Sequence, residues 1–437
     1  MNDLLIYARA VHFAATMMAA GIVLFDVCVA EPAFRKSPSS LLAATLRRRF
    51  AWIAWISLAL CVLSGGAWFV LTAASMSGQP LAQICAQDAL WTVLSQTDFG
   101  NDWFVRLVVA CALAGTFVPL LSANGAASPR LKAAAAILAA VLVGSLAFAG
   151  HAIGAEGAEG IIHPAADILH LVAAAAWVGS LVPLALLLAA TRKDSTSLAV
   201  ARTATLRFST LGIVSVATLL VTGIINTWYL AGSVDALTET DYGRLLVIKI
   251  ALFFAMVGVA AVNRMRLTPK LVADADAIAA QRARSALCRN ATIEAALGTA
   301  IIAIVAVLGT LPPGSHANHH AAEGLIPPDA AFQHIHGEDG MADVTIEPGH
   351  VGVASAAVHL LNDDLDTLVA RQLTLTLTAP APGSKAVTRS GIVDADGTWH
   401  VNGLALAAPG NWTVAVDALL PSGKHLKLTA PIEIDAK

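Results

Sequence analysis

The stretch FAGHAIGAEGAEGIIHPAADILHLVAAAAWVGSL, residues 148–181, ends one apolar run, crosses a glycine-rich break and enters another. From Leu171 to Ala190 the second run carries no charge, and with the turn before it, it reaches the roughly 20 residues a helix needs to cross a bilayer. Pro164 and Asp167 suit an opening helical turn, proline because its missing N–H is not needed there and aspartate because it complements the helix dipole. Gly154, Gly157 and Gly160 let the chain turn back between the two runs. The same break gathers His151, His163, His170 and Asp167 within twenty residues, an unusual polar load for so apolar a neighbourhood.

The rest of the chain has the same character. Of its 437 residues 57% are hydrophobic and 13% are charged, against about 25% charged in a soluble domain. Eight segments are long and apolar enough to span a membrane: 4–29, 51–73, 103–122, 133–150, 166–190, 210–231, 244–262 and 291–311. The fold class expected is therefore an all-α polytopic bundle of eight transmembrane helices. The first run follows Asp3 rather than a basic region, so it reads as a retained helix and not as a cleaved leader. Lys and Arg crowd the loops after the first, third, fifth and seventh segments, including Arg47, Arg48, Arg49, Arg192, Arg282 and Arg289, while 74–101, 151–165 and 232–243 hold none. By the positive-inside rule both termini lie outside the cytoplasm. The outer loops carry acids such as Asp88, Asp98, Glu156 and Asp241, which either concentrate cations at a mouth or simply solvate a surface. The five cysteines form neither a disulfide framework nor a CxxC pair.

Beyond Pro312 and Pro313 the pattern changes. Residues 1–312 read as the membrane domain, 313–342 as a His-rich linker, and 343–437 as a small all-β sandwich. Alternating runs such as ADVTIEP, VASAAVHLL, QLTLTLTAP and WTVAVDAL, separated by Gly, Pro, Asn and Asp, carry that last assignment. The positive-inside topology puts this domain in the periplasm or its equivalent. Nine of the 13 histidines lie here, where uniform scatter would put about four, and such tracts suggest metal binding. His316, His319, His320, His334 and His336 are the concentrated group. His334 and His336 flank one residue and so share a strand face. His350, His359, His400 and His425 are spread over strands and turns as surface or core groups.

Inside the membrane an ionisable side chain costs about 2.5–3.5 kcal/mol at a helix centre and marks a pathway or an internal pair. Arg9, His12, Asp167, His170, Lys249 and Glu294 are such groups. Counted from the outer helix ends, His12, His151 and His170 reach similar depth, which makes them candidate metal ligands. His163, Asp167, His170 and Trp177 follow three- and four-residue steps along one helix face. Asp167 is placed to fix a ligand tautomer.

These residues carry a resemblance. YARAVHFAATMMAAG, AGHA, DILHLVAAAAWVGSLVPL, RFSTLGIVSVATLLVTGIINTWYL, TDYGRLLVIKIAL, NRMRLTP and ATIEAALG, in this order, resemble the signatures of the copper resistance D (CopD) family of bacterial inner-membrane proteins. The tail is similar to YtkA-like or CopC-like domains. The resemblance implies copper handling, with uptake from a periplasmic carrier of CopC type, and maps the family pattern onto Arg9, His12, His151, Asp167, His170, Trp177, Lys249 and Glu294. Only Met341 accompanies the tail histidines. Imidazole ligands then favour Cu(II) over Cu(I), which prefers sulfur.

No GxxxxGK[ST] run and no phosphorylatable-Asp pump motif occurs. Inward cation movement down the membrane potential needs neither. The expected function is thus copper import through a His12, His151 and His170 site, with the tail capturing copper, Cu(II) and/or Cu(I), and Cys28 and Cys288 as possible cytoplasmic receivers. No catalysis and no nucleic-acid partner is expected. Two alternatives stand beside it. One is a b-type haem protein using paired histidines as axial ligands, with Arg9, Arg106 and Arg244 available to propionates. The other is a copper store or chaperone that transports nothing.

Overall fold

The computed structural model describes residues 2–35, 41–77, 89–120, 128–149, 159–193, 197–231, 236–272, 277–311, 327, 329–337, 340–362, 367–379, 386–394 and 397–436. The chain divides into two compact units, Met1–His316 and Ala317–Lys437.

The first unit is helical. Its long helices are α1 (Asn2–Phe25), α2 (Leu41–Ser77), α3 (Asp98–Leu120), α4 (Pro129–Gly144), α5 (Glu159–Ala190), α6 (Leu198–Ala231), α7 (Asp241–Val262) and α8 (Ala277–Leu308). Among the described residues seven helical segments are long and apolar enough to cross a membrane; they contain α1, α2, α4, α5, α6, α7 and α8. The expected segment 103–122 is helical as α3 but is not among the seven. Several helices outrun their apolar cores: α2 begins ten residues before the run at 51, and α6 and α8 take in the basic turns before 210 and 291. Hydropathy marks the hydrocarbon crossing, whereas helical hydrogen bonding continues into the polar zone.

Sequence chemistry explains the local boundaries. Ser128 caps α4, accepting a hydrogen bond from the Leu131 N–H at 3.2 Å, with Pro129 in the first turn. Thr240 caps α7 through the Gly243 N–H at 2.9 Å, and Asp241 follows in the first turn. Two helices pass through a π-turn, Asp26–Ala30 after α1 and Asn263–Leu267 after α7, a local widening that often accompanies functional sites. One expectation needs correction: α5 starts at Glu159, so Pro164 lies inside the helix rather than in its opening turn. The hydrogen bond that Pro164 cannot make falls on Gly160, close to the helix start.

α1 packs against α2, α4, α5 and α8. Where it meets α5 both chains carry glycine, and a Cβ on Gly179 would stand 2.3 Å from the Met17 carbonyl oxygen and 2.9 Å from the Gly21 Cα. Close backbone approach between membrane helices requires such small residues. Ser180 Oγ then donates to the Gly21 carbonyl at 3.1 Å. Phe25, Phe34, Leu46, Leu142, Trp177 and Leu181 fill the interior, while Trp52, Leu63, Ile224 and Trp228 are exposed, as side chains facing lipid must be.

The second unit is an antiparallel sandwich with strands β1 (Ala331–Gly337), β2 (Gly340–Glu347), β3 (Gly352–Leu361), β4 (Gln372–Thr378), β5 (Val387–Ser390), β6 (Ile392–Val393), β7 (Trp399–Leu406), β8 (Gly410–Leu419) and β9 (His425–Ile434). One sheet runs β1-β2-β3-β7-β6 and the other β5-β4-β8-β9. Alternation sets the inner face, with Ala342, Val344 and Ile346 of β2 meeting Leu373, Leu375 and Leu377 of β4 and Val414 and Val416 of β8 in one core. The sandwich begins earlier than Asp343: β1 occupies part of the stretch assigned to the linker. AFQHIHG carries two imidazoles, yet Ile335 between them is a buried core residue of the same strand.

Candidate functional site

His12 lies in α1 against α2 and is almost fully buried. Its Nδ1 is 2.9 Å from the Cys61 carbonyl oxygen. A carbonyl only accepts, so Nδ1 carries the proton. Ser64 Oγ stands 3.4 Å from the same nitrogen but donates to the Leu60 carbonyl at 2.5 Å. Gly65 makes room for the ring, since a Cβ there would come within 3.0 Å of His12 Cε1. Trp68 closes one side with its ring 5.4 Å from the imidazole.

His170 is held in the same manner one helix pair away. Its Nδ1 is 2.9 Å from Thr222 Oγ1 in α6. That hydroxyl already gives its single proton to the Thr218 carbonyl at 2.7 Å, so the ring must donate to it. Both imidazoles therefore present an unprotonated Nε2 with no hydrogen-bond partner among the described residues. Nε2 is a common metal-ligating atom.

Asp167 does not serve either ring in the way its spacing implied. Its Oδ1 accepts from Asn226 Nδ2 at 3.1 Å, and its charged neighbours are Lys249 and His163. His163, on the same helix, is buried and stacks on Tyr229 with ring centroids 5.1 Å apart. Thr222 was missed as the residue that sets the His170 tautomer. The T-x-x-x-T spacing of Thr218 and Thr222 in an apolar helix is the only trace of it in the sequence.

Near His12 lie two guanidinium groups. Arg9 sits over Trp68 at 5.1 Å and over Phe13 at 5.6 Å, and Arg106 over Trp68 at 5.6 Å. Arg106 also pairs with Asp102 one turn earlier and donates to the Ser145 carbonyl at 2.8 Å. Arg244, by contrast, is exposed beside Asp241.

Deeper in the unit, Trp177 packs edge-on to Phe253 with centroids 6.1 Å apart and directs its indole at Glu294. Glu294 Oε1 accepts from Asn263 Nδ2 at 2.7 Å, and Asn290 Nδ2 donates to Asn263 Oδ1 at 2.7 Å. Near the opposite end of α1, Glu31 joins Arg47 at 2.7 Å and Lys132 at 2.9 Å. Of the two cysteines considered as receivers, the Cys288 thiol faces the Ala185 carbonyl at 3.5 Å, and the Cys28 carbonyl accepts from Arg207 at 3.2 Å.

In the sandwich His334 faces Asp343 across the β1–β2 ladder, with Nδ1 against the carboxylate. His336 pairs in register with Met341. His359 lies opposite Asp343 on the other side, with Nε2 2.8 Å from Thr398 Oγ1. His400 meets Asp394 at 3.2 Å and His425 meets Asp417 at 2.6 Å. His151, His316, His319, His320 and the side chain of His336 lie outside the described residues. Among the described residues no group of three or more His, Cys, Asp or Glu side chains is arranged to hold a metal.

Comparison with known proteins agrees with the helical pattern. The family described as copper resistance protein D-like, N-terminal domain, matches residues 1–161, and the one described as copper resistance protein D matches 202–308. His12 falls in the first, Lys249 and Glu294 in the second, and His170 between them. Copper resistance protein D of Pseudomonas syringae pv. tomato is 31% identical over 322 residues, covering 72% of this chain and 99% of that protein. The inner membrane protein YebZ of Escherichia coli (strain K12) is 27% identical over 305 residues, 70% of this chain and 97% of that protein. The copper transport protein CutJ of Bacillus subtilis (strain 168) is 27% identical over 331 residues, 75% of this chain and 57% of that protein. With its long apolar helices the chain is a multi-pass inner-membrane protein related to copper handling, and it belongs to the copper resistance protein D family.

Proposed function

We propose that this protein imports copper across the inner membrane. Eight helices span the bilayer, both termini face the periplasm, and the sandwich captures copper outside. His334 and His336, with His316, His319 and His320, take the ion from solution or from a CopC-type carrier. His12, His170 and His151 then receive it near the outer face. Copper is cargo here, and no reaction is catalysed. The observation that carries the reading is the matched state of His12 and His170, each with Nδ1–H engaged by a neutral oxygen and Nε2 open. The Lys/Arg asymmetry supports the orientation, and the copper transport name of the Bacillus relative supports the cargo.

One observation favours a second reading. Arg9 and Arg106 place two guanidinium groups beside His12, and among the described residues the carboxylate paired with them is that of Asp102. That charge balance suits the propionates of a b-type haem better than a bare cation. Absorbance and elemental analysis of the purified full chain separate the two: bound copper without a Soret band supports transport, and a Soret band lost in His12→Ala overturns it. A reporter fused after Lys437 should be active only outside the cytoplasm; activity inside would overturn the orientation. Copper uptake into proteoliposomes distinguishes a transporter from a store.

A further inference from the structure

The acids of the helical unit differ in how their charge is met. Asp102 has Arg106, Glu31 has Arg47 and Lys132, and Asp167 has Lys249 nearby. Glu294 has none. It is 1% exposed, in the middle of a helix that can span the membrane. Its partners are neutral: the Asn263 amide on Oε1, backed by Asn290, and the Trp177 indole. Its Oε2 has no hydrogen bond of normal geometry.

The described elements packed around Glu294 present neutral or diverted side chains. α5 offers Trp177, and α7 with its π-turn offers Asn263. Arg264 of that turn points instead to Ser209 Oγ at 2.6 Å. Lys270 of the following short helix, Thr268–Val272, is exposed. The acid nearest the end of α1, Asp26, interacts with Glu31, Lys132 and Arg47. Among the described residues, then, no charged side chain reaches Glu294. A buried carboxylate requires a compensating positive charge; where no described side chain supplies it, a mobile one, a proton or a passing metal ion, can. The position suits that role. Trp177 lies seven residues beyond His170 on α5, about 10 Å further along the helix, and links that imidazole's helix to Glu294.

We propose that Glu294 is a proton-exchange site coupled to the movement of a monovalent copper ion. With the pathway empty, the carboxyl holds a proton. As the ion arrives from outside, the O–H bond breaks and the proton leaves to the outer water. When the ion moves inward, the group takes a proton back from the inner water, so the local charge stays constant and one proton moves outward for each ion that enters. The Asn263 and Trp177 contacts hold the acid in place, and the π-turn that carries Asn263 sets its approach.

The inference rests on the copper-import reading, so the test has two arms. In the first, the full chain is reconstituted in proteoliposomes containing a pH-sensitive dye, and Cu(I) is offered outside. Wild type should move protons with copper entry, Glu294→Gln should lose that proton movement at least tenfold while still binding copper, and Glu294→Asp should keep part of it. Wild-type proton movement in Glu294→Gln overturns the proposal. The second arm needs no transport. Infrared spectra of the full chain in lipid should show a protonated-carboxyl band that is absent in Glu294→Gln and diminishes on adding Cu(I). A band that is missing in wild type, or that copper leaves unchanged, overturns the exchange. Absence of copper entry in wild type, with the infrared response intact, would fault the import reading alone.

Discussion

In the helical unit His12 and His170 give their Nδ1–H to neutral oxygens, a backbone carbonyl and a threonine hydroxyl. In the sandwich three rings meet carboxylates instead, His334 with Asp343, His400 with Asp394 and His425 with Asp417. The solvent explains the difference. A carboxylate in an apolar interior needs a counter-charge of its own, as Asp167 has in Lys249. Strand faces that keep access to water, wide at His400 and His425 and partial at His334, impose no such requirement. Both devices orient an imidazole for a ligand, so each histidine is held by the kind of partner its surroundings tolerate.

The comparison can be broken most directly at the rings. His170→Ala or His12→Ala should reduce copper uptake by proteoliposomes to the protein-free background; wild-type uptake by both, at normal protein levels, would make them packing groups. The neutral clamp comes next. Thr222→Val keeps the shape and removes the acceptor for His170 Nδ1, and should weaken copper binding in the membrane unit by about 10–100-fold, as losses of a ligand-orienting partner do. An unchanged affinity by titration would show that the hydroxyl does not set the tautomer. On the sandwich side Asp343→Asn should weaken copper binding by the tail roughly tenfold, measured as the copper bound at limiting concentration by full chains that also carry His12→Ala and His170→Ala. The smallest effect is expected at Asp167→Asn. Its carboxylate is tied to Asn226 and Lys249, not to His170, so copper affinity should change by less than about tenfold, below the range of a lost orienting partner.

Much of this architecture is legible in single segments. The charge-free run after His170 is long enough to cross hydrocarbon whatever its neighbours, and the same holds for six other segments. Alternation in QLTLTLT predicts which residues point inward, and Leu373, Leu375 and Leu377 are all buried. β1 escaped because AFQHIHG has few large apolar groups and its histidines invited another interpretation. Asp167 misled because helical spacing correctly puts it on one face with His170, while its hydrogen bond goes to another helix.

The sequence by itself therefore determined the apolar lengths, the charge asymmetry of the loops, the change to a β pattern after the last helix, and the polar residues that a membrane must accommodate. Only the tertiary structure decided which partners those residues meet: Cys61 lies 49 positions from His12, Thr222 lies 52 from His170, and Asn263 lies 31 from Glu294. The reason is the solvent. A soluble helix announces its inner face with an apolar stripe, but a membrane helix is apolar all round, so its length can be read from the chain while its neighbours are set by close packing and by the few polar groups that must find each other.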